Sequence, residues 1–297
     1  MNAIRSSGVA VVLGLALALS SCTKDAVAPV SDTPTVGGAD TATIVDHRSI
    51  NLSSIPAQWV DSARAKLRIA YGHTSHGSQL VTGMSGLVSF RGNAYRFDGT
   101  GSGGALELRD TPFSGASDLG NPDRTSWEVV TRAYLTAHPE INVIMWAWCG
   151  QVSSATQADI TSYLTLMDAL ERDYPAVRFV YMTGHLDGTG LTGTLHLRNE
   201  QIRDYCRANH KVLYDFADIE SYDPDGVYFG DRIPNDNCDY DVNADGIREN
   251  NWAIEWQNSH PGSWYMCSPA HTQPLNGNIK AYAAWWLWAR LAGWNGT

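Results

Sequence analysis

The stretch from Ile141 to Trp148 reads I-N-V-I-M-W-A-W, an almost unbroken apolar run. A short run of this kind predicts a β-strand buried on both faces, as in the parallel sheets of α/β proteins. Val177 to Thr183 repeats the pattern, and shorter strands are predicted over Lys66–Tyr71 and Val212–Phe216. Strands buried on both faces require helices on each side of the sheet.

Helical segments separate the predicted strands. Helices are predicted over residues 78–90, 125–138, 155–172, 195–209 and 276–292. Residues 92–121 are rich in Gly, Ser and Asp and are predicted to form a loop. The alternation predicts an α/β fold, a three-layer α/β/α sandwich with a parallel flavodoxin-like sheet. A long loop insertion over about residues 218–266 precedes the last helix.

The N-terminal region does not follow this pattern. An apolar run from Val9 to Leu19 is too short to cross a bilayer as a mature helix and is typical of a signal peptide. The run leads into Leu19-Ser20-Ser21-Cys22, which resembles the bacterial lipobox. In that motif the cysteine is diacylated and becomes the mature N-terminus.

The N-terminal motifs predict the domain organisation. We expect a signal peptide over 1–21, a lipid anchor at Cys22 with a flexible tether to residue 45, and one domain over 46–297. The resemblance to the lipobox implies an exported bacterial lipoprotein that is anchored to the membrane, in the periplasm or at the cell surface.

Charge and cysteine content narrow the functional classes. The formal net charge of -10 provides no basic surface for nucleic acid. Of the five cysteines, Cys149, Cys206, Cys238 and Cys267 remain once the lipid site is set aside. In an exported protein these four can form up to two disulfides. Three connectivities are open, and Cys238 with Cys267 is favoured because both lie in the loop-rich part of the chain.

Polar turns follow three of the predicted strands. They read G-H-T-S-H-G over 72–77, C-G-Q over 149–151 and G-H-L-D-G over 184–188. Ligands of parallel sheets bind beyond the carboxyl ends of the strands, so these turns are expected to carry the chemistry. A nucleophilic Ser75 requires a base within hydrogen-bonding reach, and its neighbouring histidines diverge from it. His271, just before the last helix, is the predicted base.

The order of a strand, a Ser-containing turn and a late His before a C-terminal helix resembles the SGNH/GDSL family of esterases and lipases. Residues 69–77 resemble the first sequence block of its divergent members. The resemblance implies that Ser75 is the nucleophile and that its own N–H joins the oxyanion hole. Gly120 takes the place of the family's second-block glycine, and Gln151 that of its third-block asparagine.

The same resemblance places an Asp three residues before the catalytic His, but Ser268 stands there. Asp187 is therefore predicted to orient His271. Substrate contacts are predicted for four further side chains: His73, His76, His185 and Trp256.

A second motif lies in the insertion. Residues 241–246 read D-V-N-A-D-G, the beginning of a calcium-binding loop of the EF-hand type. The predicted ligands are Asp239, Asp241, Asn243, Asp245 and the carbonyl of Ile247. Trp252 occupies the position of the usual bidentate Glu, which leaves Glu249 or Asp236 to complete the shell. The ion is predicted to be structural Ca²⁺, and no cofactor is expected for catalysis.

These motifs predict a secreted, lipid-anchored serine hydrolase that cleaves an ester, with an acyl group on a carbohydrate as the favoured substrate. The expected partners are a carbohydrate or acylated small molecule and, through the lipid, a membrane; nucleic acid is not expected. Two alternatives stay open. One is a calcium-stabilised surface glycan-binding lipoprotein without hydrolase activity, and the other is a polysaccharide-cleaving enzyme that depends on His73, His76 and His185.

Overall fold

The computed structural model describes residues 41–297, and its centre is a seven-stranded, fully parallel sheet. The strands are β1 (Thr43–Val45), β2 (Arg68–Gly72), β3 (Phe97–Asp98), β4 (Leu106–Asp110), β5 (Val143–Trp146), β6 (Arg178–Met182) and β7 (Val212–Tyr214). Their order across the sheet is β1-β7-β6-β5-β2-β4-β3.

The central strands have the flavodoxin-like order. Numbered among themselves along the chain, β4-β2-β5-β6-β7 follow the order 2-1-3-4-5. The chain leaves β2 toward β4 on one side and then crosses to β5 on the other side. The carboxyl ends of β2 and β5 therefore form the topological switch point at which such sheets bind their ligands.

Helices cover the sheet in two groups. The helices are α1 (Ala57–Lys66), α2 (Ser78–Arg91), α3 (Ser126–Ala137), α4 (Gln157–Asp173), α5 (Thr194–Ala208), α6 (Phe216–Ile219), α7 (Trp252–Ser259) and α8 (Pro274–Leu291). Helices α1 and α2 pack with α8, whereas α3 and α5 pack with α4. The predicted α/β sandwich with a parallel sheet is confirmed.

Several elements differ from the sequence-based expectations. The predicted loop over 92–121 contains β3 and β4, because β3 has two residues and β4 mixes apolar with charged side chains. Helix α1 was not predicted. Strand β1 pairs with β7, so the predicted tether to residue 45 is wrong at its C-terminal end, where a three-residue edge strand is too short to show a pattern.

The insertion carries a small hairpin and a helix. Strands β8 (Asp239–Tyr240) and β9 (Asn250–Asn251) pair antiparallel, and α7 follows directly. No helix within residues 41–297 has the length and hydropathy needed to span a bilayer. The predicted signal peptide and Cys22 lie outside the described residues.

The predicted disulfide between Cys238 and Cys267 is wrong. All four cysteines of residues 41–297 are free. The Sγ of Cys238 is 3.4 Å from the hydroxyl of Thr272, and the thiol of Cys267 donates to the carbonyl of Pro274 at 3.5 Å. Each thiol thus has its own polar partner near the start of α8.

Candidate active site

Cys149, His76 and Asp236 form one chain of hydrogen bonds at the switch point. The Nδ1 of His76 lies 3.2 Å from the Sγ of Cys149, and its Nε2 lies 3.0 Å from Oδ2 of Asp236. The imidazole is buried at 8% exposure, whereas Cys149 and Asp236 are partly exposed. A thiol, an imidazole and a carboxylate in this order are the parts of a thiol nucleophile with its base and orienting acid.

The turn after β2 positions His76. The phenol of Tyr71 donates to the carbonyl of Gly77 at 3.0 Å, and the hydroxyl of Ser78 donates to the carbonyl of Ser75 at 2.6 Å. A Cβ on Gly77 would lie 2.4 Å from the Cβ of His73, so only glycine fits this position. The turn therefore leads directly into α2 with His76 facing the end of β5.

The other two members come from separate segments. Cys149 follows β5 and caps a 3-10 turn over Gly150–Ser154. Asp236 belongs to the insertion, which is joined to the turn after β6 by a bridge between Asn235 and Asp187. A strand end and a distant insertion therefore meet on the same imidazole.

The three groups support one another's charged forms. Burial raises the pKa of the Cys149 thiol, but hydrogen bonds from His76, Ser75 and Thr74 outweigh burial, and the pKa lies below its ordinary value. Burial disfavours protonated His76, but its hydrogen bonds to Asp236 and Cys149 raise its pKa. Desolvation raises the pKa of Asp236, but the hydrogen bond from His76 and the nearby imidazoles of His185, His76 and His271 together lower it below its ordinary value. The arrangement favours a thiolate–imidazolium pair.

Two more imidazoles stack on His76. The ring of His185 lies parallel to it with centroids 3.6 Å apart, and the ring of His271 lies on it at 4.5 Å. Burial and the charge on His76 lower the pKa of His185, which favours its neutral form. Its Nδ1 donates to the carbonyl of Leu186 at 2.8 Å, so its Nε2 carries a lone pair. That buried Nε2 has no partner among the described residues.

A buried ion pair anchors the segment that carries His185. Glu220 accepts a hydrogen bond from the backbone N–H of Leu186, and its Oε2 lies 2.6 Å from the Nζ of Lys280. Lys280 is fully buried on α8, and burial lowers its pKa. A buried charge requires such a partner, so this pair ties the turn after β6 to α8.

Asp118 joins the loops on the other side of the site. This carboxylate is 1% exposed and accepts hydrogen bonds from Thr74 Oγ1 at 2.6 Å, Gly120 N at 2.8 Å and Gln151 Nε2 at 3.0 Å. These donors belong to the segments that follow β2, β4 and β5. Asp118 therefore holds together the loops around the thiol.

We expect Asp118→Ala to lower the free energy of unfolding by about 2 kcal/mol, because it leaves three partly buried donors without their acceptor. Urea unfolding measures this loss. Asp123→Ala is the matched control: Asp123 also accepts several hydrogen bonds from its own loop, but at the surface, so a loss of about 1 kcal/mol or less is expected. Equal losses in the two variants would contradict the role of Asp118.

The predicted pair of Ser75 and His271 is wrong. No hydrogen bond joins them in the described part of the chain, and the only side-chain contact of this kind made by Ser75 Oγ is with Cys149 Sγ at 3.7 Å. His271 is exposed and stacks on His76. The serine hydroxyl lies beside the thiol of Cys149, and the imidazole that contacts this thiol is that of His76.

The roles predicted for Gly120, Gln151 and Asp187 are also corrected. The N–H of Gly120 donates to Asp118, so it is not free for an oxyanion. The Gln151 amide accepts from Cys149 N at 2.8 Å and donates to Asp118, which makes it a brace for the thiol loop. Asp187 accepts from the N–H and hydroxyl of Thr189, and its carboxylate has no hydrogen bond to a histidine within residues 41–297.

Two of the predicted substrate contacts lie apart from the thiol. His73 bridges the ends of β2 and β4, with Nε2 at 2.6 Å from Asp110 and Nδ1 at 2.9 Å from the carbonyl of Thr74. Trp256 stacks on His260 and donates to Asp225. No hydrogen bond or ring stacking among residues 41–297 joins Trp256 to the thiol, whereas the imidazoles of His76 and His185 lie beside it.

The calcium motif forms a turn with a different set of carboxylates. Asp241, Asp245 and Glu249 each offer an oxygen within 4.8 Å of the others. Asp239 instead accepts from the amides of Asn235, Asn237 and Asn251, so its predicted place in the shell is wrong. Asn243 donates to Glu249, and Ile247 N donates to Asp245. Structural Ca²⁺ stays a prediction, and Asp236 belongs to the thiol site.

Sequence reasoning did not bring Cys149, His76 and Asp236 together as one hydrogen-bonded set. The signal for Cys149 was present, because it directly follows the most apolar strand and precedes a glycine. Asp236 carried no signal, since 160 residues separate it from His76.

No protein-family model matches this sequence, and no curated protein is significantly similar to it. The resemblance to the SGNH/GDSL hydrolases stays a prediction. The function is therefore inferred from the geometry of the site.

Proposed function

We propose that this chain is an ester hydrolase that uses Cys149 as its nucleophile, His76 as general base and acid, and Asp236 to orient the imidazole. The observation that carries the proposal is the hydrogen-bonded chain from Cys149 Sγ through both nitrogens of His76 to Asp236. Its place at the switch point of the sheet supports the proposal, because this is where parallel sheets bind their substrates.

The reaction follows from the roles of these groups. The Cys149 thiolate attacks the ester carbonyl and forms a C–S bond, and the C–O bond to the alcohol then breaks. His76 transfers its Nδ1 proton to the departing alkoxide. Water, deprotonated by His76, attacks the resulting thioester and releases the carboxylic acid and the thiolate.

Backbone amides beside the thiol are the proposed oxyanion donors. The N–H groups of Ser75 and Gly150 make no hydrogen bond to a described residue, in contrast to the N–H of Gly120. Ser75 directly precedes His76, and Gly150 directly follows Cys149. Preorganised donors of this kind stabilise the negative charge of a tetrahedral intermediate.

The lone pair of His185 supports a leaving alcohol that carries a further hydroxyl to donate to it, as a sugar does. Its Nε2 lies 4.0 Å from the place where a Cβ on Gly150 would stand, which puts it next to the thiol turn. A buried acceptor without a partner favours a substrate that donates a hydrogen bond. An acylated carbohydrate is therefore the proposed substrate class, and the protein is proposed to act after export, anchored by lipid at Cys22.

Trapping of the acyl-enzyme tests this function. The protein comprising residues 41–297 is mixed with p-nitrophenyl acetate, quenched in acid during turnover and digested with trypsin. We expect a burst of nitrophenolate and one acetyl group on the peptide 133–172, which holds Cys149, and removal of that group by neutral hydroxylamine, as for a thioester. An acetyl group on peptide 69–91, which holds Ser75, would instead indicate a serine hydrolase. Absence of both turnover and label would contradict the proposed function.

A further inference from the structure

A second set of ligand atoms shares His76 with the thiol site. His76, Asp236 and His271 each offer one ligand atom, and these three atoms all lie within 4.8 Å of one another. Nε2 is the ring nitrogen of His76 that suits this set, because it is 3.0 Å from Asp236, whereas Nδ1 faces the thiol of Cys149. Two imidazoles and one carboxylate are a donor set typical of zinc sites that keep a fourth position for water.

The backbone of His271 is held in place, whereas its ring nitrogens are free. Neither nitrogen makes a hydrogen bond to a described residue, and the ring rests on His76. The backbone of His271 has a φ of 63°, which is costly for a residue with a side chain.

The segment around His271 is pinned on both sides. The fully buried Gln79 donates to the carbonyl of Ala270 at 2.7 Å, and Asn276 donates to the hydroxyl of Thr272 at 2.8 Å. The fold thus maintains a strained backbone that presents an unpaired imidazole beside His76 and Asp236. Strain that the surroundings maintain in this way indicates a functional position.

We propose that His76, Asp236 and His271 bind Zn²⁺ and that the bound ion switches off the thiol chemistry. Zinc suits a mixed set of nitrogen and oxygen donors, whereas calcium and magnesium prefer oxygen alone. With ligand distances of about 2.0–2.2 Å, tetrahedral coordination brings ligand atoms to roughly 3.3 Å from one another. The Nε2 of His76 and the Oδ2 of Asp236, 3.0 Å apart, are already near this spacing. The ring of His271 is nearly parallel to that of His76, and nitrogen lone pairs lie in the ring plane, so coordination requires the exposed side chain of His271 to turn out of the stack while its backbone stays in place.

Inhibition follows from the two nitrogens of His76, and this half of the inference rests on the proposed function. Zinc takes the lone pair of Nε2, and the proton of Nε2 leaves to solvent. Asp236 then serves as a ligand and no longer accepts a proton from the ring. The imidazole keeps one proton, on Nδ1, and a metal-bound ring gives that proton up reluctantly to the departing alkoxide. The acyl-transfer step therefore loses its acid.

Zinc affinity is the first measurement, made on the metal-free protein with ZnCl₂ in competition with a chromophoric chelator. We expect one equivalent to bind. His271→Phe should weaken the affinity by about 100-fold or more, because loss of a ligand costs more than loss of an outer-shell partner of a ligand, which costs about 10–100-fold. His260→Phe is the matched control, because His260 is also a stacked surface imidazole, and its affinity should equal that of the unmodified protein. Cys149→Ala should still bind zinc.

The outcomes separate the site from the hydrolase. Absence of binding, equal affinity in His271→Phe, or loss of binding in Cys149→Ala would overturn the zinc site, whatever the hydrolysis assay shows. Ester hydrolysis should fall as zinc occupancy rises, and removal of the ion with a chelator should restore it. Hydrolysis that rises with zinc would overturn the inhibitory role. A protein that binds zinc as expected but never hydrolyses esters would support the site and contradict the proposed function.

Discussion

Replacing Cys149 with alanine is expected to reduce the rate of ester hydrolysis by about 10³-fold or more, because the attacking atom is lost. Replacing Ser75 with alanine should leave the rate within about tenfold. The Ser75 hydroxyl lies 3.7 Å from the thiol and contributes to its acidity, but no described imidazole accepts its proton. Initial rates with p-nitrophenyl acetate, at enzyme concentrations confirmed by absorbance, measure both variants.

Cys267 provides the matched control for this prediction. It is another free, partly buried thiol, and burial raises its pKa to about 11, so it is a poor nucleophile at neutral pH. Cys267→Ala should hydrolyse the ester at the unmodified rate. If Ser75→Ala lost the hydrolysis rate and Cys149→Ala retained it, the nucleophile would be Ser75 and not Cys149.

Gly83→Ala is expected to lower the free energy of unfolding by about 3 kcal/mol, the largest stability effect among the single substitutions considered. Gly83 lies on α2 where this helix crosses α8. A Cβ at this position would lie 2.0 Å from the carbonyl oxygen of Gly277 and 3.1 Å from the Cβ of Ala281. The nearest atom is backbone, so relief requires the two helices to separate, which opens the core between them.

Urea unfolding followed by tryptophan fluorescence measures the effect, because Trp285 and Trp288 of α8 are buried. Gly99→Ala is the matched control: no heavy atom of residues 41–297 lies within 4 Å of its added Cβ, and a change within about 0.5 kcal/mol is expected. Equal unfolding midpoints for the two variants would show that α2 and α8 do not pack as closely as described. Hydrolysis should also fall in Gly83→Ala, since α2 follows the His76 turn and α8 follows His271.

Much of the fold was predictable from local pattern. The apolar runs at β5 and β6 are continuous because both faces of these strands are buried. The helices near them show apolar side chains at the spacing of a helix turn. Strands β1, β3 and β4 were not predictable in the same way. They are short or lie toward the sheet edges, and their pairing depends on neighbours that are distant in sequence.

The region of the site was predictable, but the roles within it were not. The parallel sheet places the turn at His76 and the turn at Cys149 at the same edge, as expected. The choice of nucleophile depends on which imidazole nitrogen faces which atom. Ser75 and Cys149 both stand at strand ends, and only the 3.2 Å contact to His76 distinguishes the thiol.

By itself, the sequence determined the α/β class, the parallel sheet and the edge at which polar turns gather, because each follows from the periodicity of neighbouring residues. Tertiary structure alone decided that Cys149 is paired with His76, that Asp236 reaches in from the insertion and that His271 stacks on the shared ring. Hydrogen bonds and ring stacking act over a few ångströms in space, irrespective of separation along the chain. A local sequence pattern does not predict which distant side chains the fold brings within a few ångströms of one another.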